Sequence, residues 1–532
     1  MKKSILALGA AAALGGLGFA GTAHAVAYFG DGGFRVAGAT EVDLTPGSVG
    51  HMLFTPYYTA TGSNGTLFNI TNTDGQNGKA VKVRFRGAAN SDDVLDFTLF
   101  LSPGDVWSAS VTAGPDGRAT ISTSDKSCTI PDASQWPARF SDLRLPTYIS
   151  EEAKNANANE GYIEVLNMAD IPPTLLSAGI PGTVTGGLTA GKANPIYTNI
   201  KHVAGVAPCS AVVFQDLLST AVAADGSEAE GYGLAVPSGG LMGSWAVFNQ
   251  AELAVYSGNM TAVVASNGST GSDGVTPVSA NGLINFAPQV PVPVGSSVRT
   301  LTGDPLLAAN LVQPLWFDLP DMSTPIATTY AGNAPYQASR LSTALARGAV
   351  LNDYIATAAG APVPMQTDWV VSQPTRRYHA AVDYGASAAA ARIAWNDQQT
   401  VATSPVVFAN PSDNRYRVLT LSATEFGPQA CLLAGFGSTD REERVNVAGG
   451  SFSPGVTAPY CGEVFTVQFG ATSVLQAAVT KRKVNPVSDA GWASLTLMGA
   501  NRLPIVGYAA TSLKNTVAGG NYGMTLPHRW KD

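Results

Sequence analysis

The chain has 532 residues, a formal net charge of −7, and 13% charged residues against 45% hydrophobic and 8% aromatic. Charge runs at about half the usual share near 25%, and so little positive charge leaves no electrostatic footprint for a polyanion, so no nucleic-acid partner is expected. A disordered chain is excluded as well, because disorder combines few apolar residues with high charge.

The first element is an export signal. Met1, Lys2 and Lys3 precede an apolar run from Ile5 to Ala20, and Ala23-His24-Ala25 supplies small residues at a cleavage site, the three-part grammar of a secretory leader. Gly15, Gly16, Gly18 and Gly21 interrupt the run, which falls short of the roughly 20 residues of a permanent membrane span. Residues 1–25 are therefore read as a signal peptide, and loss of Lys2 and Lys3 takes the net charge from −7 to −9. No cysteine follows closely enough for a lipid anchor, and no later stretch is long and apolar enough for a transmembrane anchor. Leu503-Pro504-Ile505-Val506-Gly507 resembles a sortase signal only by chance, lacking the threonine and a membrane tail. The chain is expected to be exported to the cell surface or the extracellular space, with the periplasm as the other compartment.

Residues 26–170 read as an N-terminal β-sandwich domain. Leu67 to Asn72 form a strand pattern leading into Asp74-Gly75, and Val81, Val83 and Phe85 alternate with Lys82, Arg84 and Arg86. Period two puts the apolar set on one face and predicts that the cations lie in water. Leu95, Phe97, Leu99 and Leu101 repeat the rhythm, Ser102-Pro103-Gly104-Asp105 supplies a turn, and Val106 to Val111 start another strand. Residues 171–360 read as an irregular β-rich middle region, punctuated by Ile180-Pro181-Gly182 and Pro288 to Pro293, with strands at Gly243–Phe248 and Leu253–Tyr256. Helices are expected from the Asp304-Pro305 start and along Ser339, Leu341, Ala344, Leu345, Gly348 and Leu351. Residues 361–532 return to strands around Tyr416 to Leu421, Phe465 to Phe469 and Ala493 to Leu497, a C-terminal β-sandwich domain. The fold class is thus mainly β: two antiparallel, Ig-like sandwiches flanking a Gly/Pro-rich middle with a few short helices. Gly 57 and Pro 33 agree with many short strands and turns.

Four cysteines, Cys128, Cys209, Cys431 and Cys461, imply two disulfides in an oxidising compartment. Proximity favours Cys128 with Cys209 and Cys431 with Cys461, one of three pairings. No Cys-x-x-Cys pair or flanking His supports zinc. His51, His202, His379 and His528 are scattered and read as surface or capping residues. No nucleophile elbow, phosphate loop or dinucleotide fingerprint occurs, so no catalytic residue and no cofactor is assigned. Calcium is the one metal weighed: Asn72 to Gly78, with Asp74 and Asn77, and Asp225 to Glu230, with Asp225 and Glu228, place oxygen ligands on turns, where ordinary Asx turns are the competing reading. Asp92-Asp93 with Asp96, and Glu151-Glu152, are further carboxylate clusters, and the run from Asp440 to Arg444 reads as a solvated loop with local ion pairs. Trp107, Trp245, Trp369 and Trp492 read as core residues, with a sugar platform as the alternative.

The segments Phe54–Tyr58, Thr66–Asn72, Lys79–Trp107, Gly161–Met168, Gly243–Met260, Thr367–Val371 with Pro374-Thr375, and Leu503–His528 resemble a family of uncharacterised exported cell-surface proteins of Gram-negative bacteria. The resemblance spans nearly the whole mature chain and implies no catalytic or binding residues; surface-layer proteins share the composition. The function expected is that of a non-enzymatic structural protein of the cell surface, engaged in surface assembly or adhesion through self-association or contact with envelope components. An exported carbohydrate- or small-ligand-binding protein is the alternative, and a secreted polysaccharide hydrolase comes third.

Overall fold

The computed structural model of the protein describes residues 39–142, 145, 149–217, 222–223, 226–282, 285–286, 341–358, 360–374, 376, 381–382, 392–393, 416–420, 428–447, 457–497, 502–515 and 519–531. The expected signal peptide, the Asp304-Pro305 helix start and His379 lie outside these residues.

The protein is mainly β. The first of four larger sheets runs in the order Glu41–Leu44, Thr261–Thr270, Met52–Thr59, Glu160–Ile171, Gly78–Gly87, Asp93–Leu101 and Cys128–Ile130, with Pro277–Ser279 added to Thr261–Thr270. A second sheet orders Ala254–Asn259, Leu241–Asn249, Asn64–Asn72, Val106–Ala113, Ala119–Ser122 and Ala138–Arg139. The third contains Tyr416–Thr420, Pro428–Asp440, Ala490–Leu497, Ala349–Ile355 and Arg529–Lys531, and the fourth Lys481–Lys483, Val464–Gln468, Met365–Ser372, Val506–Asn515 and Gly520–Pro527. Among the described residues, pairing is antiparallel except between Val464–Gln468 and Lys481–Lys483. Residues 241–270, from the middle of the chain, supply strands to both of the first two sheets.

Two-residue alternation builds the interior. Val81, Val83, Phe85, Phe97 and Leu99 from the first sheet meet Phe68, Ile70, Trp107 and Val111 from the second in one apolar cluster, with edge-on ring contacts such as Phe68–Phe85 at 5.7 Å. Another cluster joins Val350, Leu432 and Leu495 of the third sheet to Trp369, Val371, Phe465 and Val467 of the fourth. The strand Met365–Ser372 is buried on both faces: Trp369 and Val371 enter this second cluster while Val370 enters the first. That two-sided burial explains why Trp369-Val370-Val371 is continuously apolar instead of alternating. Val464, Leu475, Val506 and Tyr508 also belong to the first cluster, and the Trp245 and Tyr508 rings lie 4.4 Å apart, so apolar packing is continuous between strands from the two ends of the chain.

Short helices occupy defined starts. Ser150 caps Glu151–Asn159 through its hydroxyl, which accepts from the Ala153 N–H, and Glu151 and Glu152 sit in the first turn where the helix dipole favours them. Asn194 caps Pro195–Ile200 with Pro195 at the first position. The disulfides are Cys128–Cys209 and Cys431–Cys461, the pairing that proximity favours. The first ties the edge of the first sheet to the short helices; the second joins directly opposed residues of neighbouring strands. Among the described residues, no helix is long and apolar enough to cross a membrane.

Three local expectations are overturned. Lys82, Arg84 and Arg86 are fully buried, not in water, because carboxylates on the neighbouring strands stand opposite: Arg84 faces Asp96 and Glu164, and Arg86 faces Asp93. Among the described residues of this stretch helix covers 341–345, Ser339 lying outside them; Leu351 lies instead in the strand Ala349–Ile355, where pairing with Ala490–Leu497 outweighs the helical spacing. His51 and His528 are core residues, 0% and 7% exposed, and burial holds both in the neutral form, with pKa values lowered to about 3 and about 4.

Candidate functional site

The densest buried polar centre forms where the strand Gly78–Gly87 begins. Antiparallel register sets Lys79 opposite Asp170, and Lys79 Nζ reaches Asp170 Oδ1 at 2.8 Å with both side chains at 0% exposure. Asp74 Oδ2 is 3.6 Å from the same nitrogen, which also donates to Ser238 Oγ at 3.3 Å. The Ser238 N–H donates to Asp170 Oδ2 at 3.2 Å and its hydroxyl donates to the same oxygen. Asn167 Nδ2 donates to Asp170 Oδ1 at 3.0 Å. Ser238 is brought here by a turn through Gly239 and Gly240, both at positive φ. A Cβ on Gly239 would also lie 2.8 Å from the His51 ring, so glycine is required there for space as well as conformation. Burial raises the Asp170 carboxyl above its ordinary range despite Lys79. At Asp74 burial pushes the same way, but the Lys79 charge and the Asn77 and Gln76 N–H groups outweigh it and hold the carboxyl low. The arrangement is a dry amine–carboxylate contact with a second carboxylate beside the nitrogen and donors fixed on one carboxyl oxygen.

Farther along the same strand runs a ladder of ion pairs. Lys82 Nζ meets Asp96 Oδ2 at 3.1 Å, Arg86 Nε meets Glu164 Oε2 at 3.3 Å, and the Tyr162 hydroxyl donates to Glu164 Oε1 at 2.9 Å. The two ion pairs cross strands and hold the sheet's register, and Tyr162, on the same strand as Glu164, fixes that carboxylate.

A third polar set ties together the two ends of the chain. Asp368 Oδ2 accepts from Ser473 Oγ at 2.6 Å and from the N–H groups of Val474 and Leu475 at 2.8 and 3.0 Å. Glu160 Oε1 accepts from Ala478 N at 2.7 Å, and Asn64 Nδ2 donates to Leu475 O at 2.8 Å. The segment 473–479 is thus clamped by one carboxylate from the first sheet and one from the fourth. Burial raises both carboxyls, Asp368 to about 6. Nearby, Arg376 Nε contacts Glu463 Oε2 at 2.7 Å and its Nη2 donates to Ala89 O at 3.1 Å.

The residues singled out for calcium behave as follows. Asp74 Oδ1 accepts from the N–H groups of Gln76 and Asn77 at 2.8 and 3.1 Å, an Asx turn, and Asn77 Nδ2 donates to Asp74 Oδ2 at 3.1 Å. Lys79 Nζ lies 3.6 Å from Asp74 Oδ2 on the other side of the turn carboxyl. Asp225 lies outside the described residues, and so does the side chain of Glu228, whose backbone belongs to the helix Gly226–Gly231. Among the described residues, no group of three or more His, Cys, Asp or Glu is placed to hold a metal ion. Glu151 ion-pairs with Arg118 at 3.3 Å. Asp440 closes the 440–444 turn by accepting from the Glu442 and Arg444 N–H groups and pairing with Arg444 at 2.6 Å. Trp107, Trp245 and Trp369 are core residues, whereas Trp492 is 44% exposed. Beside the Cys128–Cys209 bridge lies a cleft of about 360 Å³, whose lining includes Asp125, Lys126, Asp132, Gln135 and Phe214.

Sequence reading passed over Glu160, Asp170, Ser238, Asp368 and Arg376. The signal available was a lone charge inside an otherwise apolar strand, as with Asp368 in Thr367-Asp368-Trp369-Val370-Val371. No family model, no curated protein and no solved structure matches this chain.

Proposed function

We propose that the protein is an exported structural component of the cell surface, a rigid β-rich body made of two sandwiches, first sheet on second and third on fourth, fused side by side. The observation that carries this reading is where the charge goes. In a chain so poor in ionisable groups, Lys79, Lys82, Arg86, Arg118 and Arg376 are all buried and committed to carboxylates that hold strands and loops together, and Arg84 is buried opposite Asp96 and Glu164 in the ladder. A body stiffened in this way, crosslinked by two disulfides and left with a weakly charged exterior, suits lateral packing on an envelope. The third sheet ends in Arg529–Lys531, an edge strand exposed along its length with Trp530 upon it, and such an edge favours pairing with another chain.

Cell fractionation with protease shaving of intact cells, together with sedimentation and negative-stain microscopy of the purified mature protein with and without calcium, tests the proposal. Shaved fragments and sheets or filaments are expected; protection from protease and a strict monomer under all conditions would refute it. Small-ligand or carbohydrate binding is the second reading, favoured by the cleft at Cys128–Cys209. A glycan and metabolite thermal-shift screen tests it, with Lys126→Ala expected to abolish any shift.

A further inference from the structure

We propose that Lys79 and Asp170 condense after folding into an intramolecular amide, a covalent tie between the strands Gly78–Gly87 and Glu160–Ile171, with Asp74 as proton carrier and Ser238 positioning the carboxyl. The two reacting groups are already in contact. They stand opposite each other in the ladder, Nζ is 2.8 Å from Oδ1, and neither side chain is reached by solvent. Groups held in such contact react as if at an effective concentration on the order of 10⁵ M or more.

The surroundings match what condensation needs. Burial disfavours separated charges, so an amine facing a carboxylic acid gains on the ammonium–carboxylate pair, and the Asp170 carboxyl is raised in this site. The proton of the Lys79 ammonium passes to Asp170 Oδ1, leaving a nucleophilic amine. Its lone pair attacks Asp170 Cγ, the C–N bond forms, and the carbonyl electron pair moves onto Oδ2. There the N–H and hydroxyl of Ser238 both donate, which stabilises the developing oxyanion.

Asp74 Oδ2, 3.6 Å from Nζ, then takes a proton from the nitrogen and delivers it to the Oδ1 hydroxyl. The Cγ–Oδ1 bond breaks, water leaves, and the carbonyl re-forms at Oδ2 under the Ser238 donors. One ammonium and one carboxylate become one amide and one water, with no oxidant or reductant. Asn167, donating to Oδ1 at 3.0 Å, steadies the departing oxygen. The remaining titratable group of the site, His51, is kept neutral by burial and by Lys79 and takes no part.

The test is mass spectrometry of the purified mature protein after reduction. The intact mass should fall short of the sequence mass by one water. Trypsin should fail to cut at Lys79 and should yield one branched peptide joining the segment that contains Lys79 to the segment that contains Asp170. Full mass with separate linear peptides would overturn the proposal. In Asp74→Asn, whose amide keeps the size of the carboxyl, the protein should fold with both disulfides and retain the missing water's mass. A crosslink formed to the wild-type extent in that variant would overturn the role given to Asp74. If the variant does not accumulate, the wild-type mass and peptide map still decide the central claim.

Discussion

Asp368→Asn separates the electrostatic contribution of the clamp from its hydrogen bonds. In the folded protein burial raises this carboxyl from 3.8 to about 6, so between those values the native state holds a proton that the unfolded chain releases. Stability from this group is therefore fully present below about pH 4 and declines as pH rises to about 6. A shift of about two units corresponds to about 3 kcal/mol. Asparagine keeps an oxygen to accept from Ser473, Val474 and Leu475 and cannot ionise. Its extra N–H₂ enters the place of Asp368 Oδ1, which is buried without a hydrogen-bond partner, adding a pH-independent penalty of about 1–3 kcal/mol. Guanidinium unfolding followed by tryptophan fluorescence, from pH 4 to pH 8, gives both curves. The variant should be the less stable at pH 4 and should gain about 3 kcal/mol on the wild type by pH 7. Parallel curves would show that burial does not raise the Asp368 carboxyl as argued.

Other perturbations probe separate parts of the fold. Arg376→Met removes the guanidinium beside buried Glu463 and should cost about 3–5 kcal/mol by the same denaturation assay. Ring resonances of His51 and His528 should stay flat in an NMR titration from pH 8 to pH 5, since they titrate near 3 and 4 in the folded state; neutral burial contributes stability that is lost as pH falls below 6.5, by about 5 and about 3 kcal/mol. Gly523→Ala would put a Cβ 2.0 Å from Val255 O, forcing Gly520–Pro527 away from Ala254–Asn259 and lowering stability by about 1–3 kcal/mol. Removing Cys128–Cys209, which spans 81 residues, should cost about 4–5 kcal/mol against about 3–4 for Cys431–Cys461, which spans 30, on the loop-entropy account; the reverse order in paired Cys→Ala variants would reject that account here.

Strands and cysteine partners were legible because both depend on local spacing. Val81, Val83 and Phe85 announce a pleat, and Cys431 with Cys461 needs only chain proximity. What stands opposite a strand is a different kind of fact. Nothing in the alternation of Lys82, Arg84 and Arg86 distinguishes water from the carboxylates of Asp93, Asp96 and Glu164, since it does not give the register that sets Asp93 and Asp96 opposite them on the next strand, nor the pairing with Glu164, 80 positions from Arg84. The same blindness hid the Lys79–Asp170 contact: Asp74 drew attention as a turn carboxylate while its actual neighbour lay on a strand not yet paired with it. Leu351 failed for the converse reason, a helical spacing outweighed by a sheet.

The clamp at 473–479 bears on how the molecule unfolds. A segment held only by its own sheet could detach without disturbing the other end of the chain, but this one takes N–H acceptors from Asp368 and from Glu160 together. Releasing it leaves two buried carboxyls without donors at once, at about 1–3 kcal/mol each or more for charged groups. Arg376, bound to Glu463 and to the Ala89 carbonyl, imposes a similar double loss. Opening the junction between the two ends of the chain is therefore disfavoured by polar groups as well as by the apolar packing of Trp245 on Tyr508. The ends should consequently unfold in one transition, although each carries its own sheets and its own disulfide, because separating them takes from Glu160 the N–H groups of Ala478 and Val479, from Asn64 the Leu475 carbonyl and from the Ala89 carbonyl the Arg376 guanidinium.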